Sequence, residues 1–446
     1  MKDDWIEILR SKNYEAWLLN LSIATPGQEP MEGFGRLVWE DDRLNVEAFA
    51  QNIDVTTAFQ TRFQPGQFIR PDQYSILKAE TRDGWDVEIG HIHDMPNINL
   101  SRGRAEWRFT TPILKLGQDT RVDVKCLRAL IGPVEKIFFP RYSVSRDDNP
   151  HFGGGITRRD WISFEPSFGS VVLRRFDSDE VAINIEGDLT QDGLVEALES
   201  VQLAVSFVEG RNVKLIGYEI ISENQRCRWI TKDVRMTNSR FSPPFGNTGS
   251  PKVDYEQALT LASSFFHTQV GKLFSNRLRM CWASVDSPGT QRTLAVCTAV
   301  EKLVKESKNK LHVPKVAEEE AVKKEIKQLL ATKNDVVSER FVRRITSFLG
   351  LMNSIDVRFI LNQWSQTKFL GIDQKDFEAW KTLRDPASHG ELLFIYGDEN
   401  FEERTKTFES LFRVENLLNK LVLHEMDYNG LYFDQVAYQF RPLKGS

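Results

Sequence analysis

Four cysteines and seven histidines are spread through 446 residues, and that scarcity excludes several kinds of chemistry at once. Cys126, Cys227, Cys281 and Cys297 form no CxxC pair and no dense framework, so reduced thiols are expected in place of disulfides. His91 and His93 read as strand alternation and have no complementary His/Cys cluster, so neither a metal nor another cofactor is expected. No apolar run reaches the roughly 18 residues that a membrane-spanning helix needs. The opening MKDDWIEILRSKNYEAW is acidic and lacks the apolar core of a signal peptide. A cytoplasmic chain that does not engage a membrane is the expectation. Phosphate-cradling glycine loops are missing too, because Gly153-Gly154-Gly155 lacks a strand–GxGxxG–helix setting. No G-x-S-x-G elbow offers a nucleophilic serine.

An excess of positive charge is also lacking. The formal net charge is −5, which announces no global attraction to nucleic acid. The halves differ: residues 1–250 carry 30 Lys+Arg against 37 Asp+Glu, a net of −7, whereas residues 251–446 carry 28 against 26, a net of +2. A polyanion site belongs, if anywhere, in the second half.

What is present divides into two kinds of pattern. Residues 30–125 alternate apolar and polar side chains between turn signals such as Pro65-Gly66 and Asp83-Gly84, as in Gly35–Trp39, Tyr74–Ala79 and Trp107–Thr110. Ser170–Phe176 and Val181–Ile185 suggest a hairpin. Leu194, Ala197, Leu198, Val201, Ala204 and Val205 then recur at helical spacing before a strand at 213–221. Ser242-Pro243-Pro244-Phe245-Gly246-Asn247-Thr248-Gly249-Ser250-Pro251 can sustain neither helix nor central strand. Beyond it, helical periodicity dominates at 254–281, 290–306, 318–330, 336–349, 355–364 and 401–426. The expected fold class is therefore α+β and multidomain. A β-rich, sandwich-like N-terminal domain (1–241) is followed by a linker (242–252) and an all-α helical bundle (253–446).

One segment concentrates chemistry: Arg384-Asp385-Pro386-Ala387-Ser388-His389. Asp385 is a good N-cap and Pro386 suits a first helical position, so the segment reads as a helix start. There a fixed cation and a titratable imidazole would meet free N–H groups and a helix dipole that attract phosphate. A second Arg-x4-His, from Arg146 to His151, runs into a glycine loop and has no helix to fix it.

A helical bundle carrying Arg, a polar residue, three further residues and His resembles the HEPN superfamily of ribonucleases. Leu294–Leu303, with Glu301, resembles that family's early acidic helix; Leu383–Gly390 resembles its motif segment; and Leu417–Leu423 followed by Tyr428-Asn429-Gly430 resembles its closing helix. The β-rich-then-helical layout is most similar to the ApeA-type proteins of bacterial anti-phage defence. The resemblance implies a HEPN-like bundle that cleaves RNA without a metal as a homodimer, with tRNA among its targets and abortive infection as its role. It implies His389 as general acid or base, Arg384 as the phosphate-holding cation and Asp385 as a cap that orients Arg384. Lys381, Arg343, Arg344 and Glu301 are the further candidates for substrate contact, and a phage-derived trigger is the expected partner of the N-terminal half. Two rivals remain open: a non-catalytic dimeric binding or adaptor protein with a degenerate bundle, and the toxin half of a toxin–antitoxin pair.

Overall fold

A computed structural model describes residues 5–24, 26, 29–40, 43–50, 74–92, 105–110, 113–119, 126–145, 156–176, 179–222, 225–231, 241–246, 249–286, 289–307, 317–332, 338, 341–342, 344–345, 357–388 and 401–443. The fold is mixed: a large antiparallel sheet occupies the N-terminal half, and helices occupy the C-terminal half. Two compact units result. One comprises Met1–Asp286 with Gly430–Phe433, the other Ser287–Asn429 with Asp434–Ser446.

The first unit is built on a single 14-stranded sheet. In spatial order its strands are Ala105–Thr110, Arg43–Ala50, Met31–Glu40, Glu15–Ala24, Ser75–Thr81, Asp86–Ile92, Ile113–Asp119, Gln225–Thr231, Lys214–Ile221, Cys126–Gly132, Val181–Glu186, Ser170–Arg175, Ile156–Phe164 and Arg141–Ser145. The N-terminal half is β-rich as expected, and its strands join edge to edge in one ladder. The strand Cys126–Gly132 is the joint: it pairs with Val181–Glu186 on one side and Lys214–Ile221 on the other. Alternation along a strand reports a buried face but not the neighbouring strand.

Helix α1 (Trp5–Ser11) packs into an apolar core of this unit. Trp5 and Leu9 pack with Leu18, Leu37, Val46, Leu77, Ile89, Leu116, Leu130, Ile216 and Ile230 in one apolar cluster. Trp5 Nε1 donates to the Tyr218 carbonyl at 3.1 Å, so the buried indole keeps its polar edge satisfied. Helix α2 (Gln191–Glu209) matches the expected period. Thr190 caps its start by accepting from the Gly193 amide, and Gly210 ends it at φ 67°, a left-handed conformation that glycine adopts without steric cost.

The helix expected over 254–281 is two helices, α3 (Tyr255–His267) and α4 (Gln269–Ala283). Thr268, extended at φ −75° and ψ 160°, ends the first and caps the second by accepting from the Gly271 amide at 3.0 Å. Gly271 is required there, since a Cβ would collide with the Phe265 carbonyl. Both helices belong to the first unit. The contact boundary therefore falls at Asp286/Ser287, later than the Pro/Gly stretch at 242–252. Phe241 and Phe245 within and beside that stretch are buried.

The second unit holds α5 (Gly289–Glu306), α6 (Ala317–Thr332), α7 (Val357–Thr367), α8 (Gln374–Ser388) and α9 (Phe401–Glu425). Val296, Val300 and Leu303 of α5, Ile360, Leu361 and Trp364 of α7, Trp380 and Leu383 of α8, and Val414, Leu417, Leu418 and Leu421 of α9 are among its buried side chains. Helices α5, α7, α8 and α9 pack on one another. Arg292 of α5 ties to the buried Glu415 of α9 at 2.6 Å. The helix expected at 336–349 falls largely outside the described residues. No helix among the described residues is long and apolar enough to cross a membrane.

Candidate functional site

The Arg384–His389 segment sits elsewhere on its helix than its residues suggest. Helix α8 begins at Gln374 and runs through Arg384 and Asp385 to Ser388. Its N-terminal signature lies at Asp373 and Asp376, which cap each other reciprocally. The Asp376 amide donates to Asp373 Oδ1 at 2.9 Å, and the Asp373 amide donates to Asp376 Oδ2 at 3.3 Å. The buried face of Phe377, Trp380 and Leu383 recurs at helical spacing and carries the helix past Asp385. Asp385 is thus no N-cap, and Pro386 is no first-turn residue. Proline in the last turn deprives the Thr382 carbonyl of an amide partner and crowds it with the ring, a cost that the buried face upstream must offset. The dipole consequence reverses as well. A helix C-terminus carries partial negative charge, so backbone groups do not attract phosphate here, and any anion hold must come from side chains.

The side chains form a chain of alternating charge across three helices. Arg384 Nε donates to Glu301 Oε1 on α5 at 2.8 Å, joining residues 83 positions apart. Arg384 Nη1 reaches Asp385 Oδ1 at 3.4 Å. Arg358 on α7 then directs Nη2 at both oxygens of the same carboxylate, 2.6 Å from Oδ1 and 2.8 Å from Oδ2. The side chains of Arg384 and Asp385 are 37% and 38% exposed, so solvent and a ligand reach them. The hydrogen bond that Arg384 donates to Glu301 is the first cause that raises the guanidinium pKa above its ordinary value; Asp385 adds to it, and burial opposes it. Arg384 is therefore a permanent cation held on two sides by carboxylates.

Of the other candidates, Lys381 is exposed one turn before Arg384 on α8, and Arg344 is exposed and is not a partner of Arg384. His389 and Arg343 lie outside the described residues. Arg384, Asp385 and Glu301 are brought together by the fold. Arg358 is the member that sequence reasoning missed. A single arginine beside an apolar stripe (Val357, Ile360, Leu361, Trp364) looks like any solvated flank, and only the packing of α7 on α8 shows its partner.

The capped end of α8 carries a second, buried cluster. Lys420 Nζ on α9 lies 3.2 Å from Asp376 Oδ2 and 3.2 Å from the Gly371 carbonyl, and Arg413 Nη1 lies 3.4 Å from Asp376 Oδ1. These bonds fix where α8 starts and hence where its far end presents Arg384.

The arrangement offers one fixed guanidinium and a second beside it, both accessible, with carboxylates that orient them. It suits holding a phosphodiester and stabilising charge that develops on it. Compared with known proteins, the chain matches no family model, no curated sequence and no solved structure.

Proposed function

We propose that this chain is a metal-independent RNA endonuclease of the HEPN type, cytoplasmic and homodimeric, acting in abortive anti-phage defence. The observation that carries the reading is the 2.8 Å contact between Arg384 and Glu301. These are the arginine of the motif segment and the acid of the helix that resembles the family's early one, two separate features of the resemblance on helices far apart in the chain. RNA supplies its own nucleophile. The 2′-oxygen bonds to phosphorus as the 5′-oxygen leaves, one proton passes to a base and another returns to the leaving group. His389 serves as base or acid and Arg384 holds the phosphate and its transition-state charge. Lys381, on the exposed side of the same helix, adds a phosphate contact. Exposed Leu294, Phe359, Phe408 and Phe412 in the helical unit support a partner copy. The sheet unit is the part proposed to receive the phage-derived trigger.

The test is RNA-end sequencing after induced expression, with tRNA among the targets scored. His389→Ala should abolish cleavage and toxicity, and cleavage by the parent protein should survive EDTA. Undiminished toxicity in that variant would discard the reading. One observation favours the non-catalytic rival: Arg384 is already engaged by two carboxylates and sits at the phosphate-averse end of its helix. Purified protein decides between them: RNA cut in a pattern that Arg384→Ala loses supports the nuclease, and no cutting by the parent supports the rival.

A further inference from the structure

We infer that Arg358 is a positioning residue of this site, gripping Asp385 so that Asp385 in turn fixes the guanidinium of Arg384. The inference rests on the nuclease reading for its kinetic consequence, but its geometric consequence stands alone. Adjacent residues on a helix are turned away from each other by about 100°, so Asp385 does not face Arg384 by helix geometry. Something must draw the carboxylate across. Arg358 Nη2 lies 2.6 and 2.8 Å from its two oxygens, far closer than the 3.4 Å from Arg384 to Oδ1. Arg358 is therefore the dominant partner of Asp385, and the weaker contact to Arg384 follows from where Arg358 holds it. With Glu301 gripping Nε from the other side, Arg384 is held at two edges of its plane. Two attachments to a planar fork define its orientation; one leaves it free to swing.

Charge gives the second half of the inference. Arg384, Asp385, Glu301 and Arg358 sum to zero, so Arg358 offsets the Asp385 carboxylate that would otherwise stand only weakly paired beside Arg384. Arg358 thus neutralises Asp385 while aiming it. Helix α7 becomes part of the site even though none of its side chains need touch the reacting atoms.

The test follows the reactivity of Arg384 in the full-length chain toward phenylglyoxal, read by peptide mass, beside RNA cleavage kinetics. Arg358→Met should raise the Arg384 adduct rate several-fold, and Arg358→Lys should restore protection, because a lysine supplies the charge and a donor at the same place. Cleavage by Arg358→Met should lose about tenfold in kcat while KM stays within about twofold, the mark of misorientation and not of lost binding. Asp385→Asn should reproduce both effects, and the double variant should be no worse than either single one. An Arg384 adduct rate in Arg358→Met equal to the parent's overturns the inference, as do kcat losses that multiply in the double variant. If Arg358→Met fails to fold, the adduct rate in Asp385→Asn decides in the same way. If the parent does not cut RNA, the nuclease reading falls, and the adduct rates alone settle the positioning role.

Discussion

The two ends of helix α8 use the same residue types for opposite purposes. At its start, Asp376 and Lys420 have side chains only 5% and 4% exposed, and Asp376 also takes Arg413 and the capping amide of Asp373. At its end, Asp385 and Arg384 are more than a third exposed, with Arg358 and Glu301 as partners. A buried charge has given up its hydration and cannot exchange partners without a large penalty. An exposed ion pair is worth little to stability, and for that reason can trade a carboxylate for a phosphate at little cost. Asp376 and Lys420 hold the helix in place; Arg384 keeps partners that it can exchange.

The sharpest way to break this contrast is to remove one charge from each end. Asp376→Ala leaves Lys420 buried without its carboxylate, and should lower unfolding stability by about 3–5 kcal/mol in chemical denaturation. Next in size, Arg384→Ala should cut RNA cleavage about 100-fold or more, equivalent to about 2.7 kcal/mol of transition-state stabilisation, in a single-turnover assay. The same variant should shift unfolding stability by less than about 1 kcal/mol. A loss of stability as large as that of Asp376→Ala would erase the distinction. Smaller again is the salt effect. Arg384→Ala should reduce the slope of log affinity against log salt for single-stranded RNA by about one, measured by fluorescence anisotropy on a cleavage-silent His389→Ala background.

The least effect is expected in the other unit, at the half-buried His267. Burial, then the nearby Lys272, holds the His267 imidazole below its ordinary value, with Glu196 opposing; its Nδ1 lies 3.3 Å from Ser200 Oγ. A histidine whose folded pKa is depressed contributes stability that is fully present above its unfolded value near about 6.5, and that is lost as pH falls through the folded one. Thermal melts between pH 8 and pH 5 should show a modest decline that His267→Gln flattens. A parent protein that gains stability toward pH 5 would contradict the sign.

How far the residues alone reveal this molecule depends on how local the cause is. Helix α2 was legible because one apolar stripe and two terminal signals, Thr190 and Gly210, agree. The strands were legible as strands, yet their assembly into one sheet was not, because pairing such as Gln225–Thr231 with Ile113–Asp119 is decided by distant partners. The break at Thr268 was hidden because apolar periodicity continues through it while the backbone does not. The Arg384 segment was misplaced on its helix since Asp-Pro satisfies the rules for a beginning, whereas the true capping pair, Asp373 and Asp376, lay upstream in an unremarked polar run. Glu301 and Arg384 were both recognised as candidates by resemblance. Their contact required the packing of α8 on α5.

The return of the chain after α9 has a practical consequence. Gly430–Phe433 belong with the first unit, where the Phe433 amide donates to the Pro244 carbonyl at 2.8 Å. The helical unit is thus an excursion that leaves its host after Asp286 and comes back to it, and no single cut separates the two. Cleaving at the Pro-rich stretch would carry α3 and α4 away with the wrong half and part Gly430–Phe433 from its host. The helices by themselves would be better isolated as residues 287–446, because Asp434–Ser446 belong to the same unit and Asn416 donates to the buried Asp434.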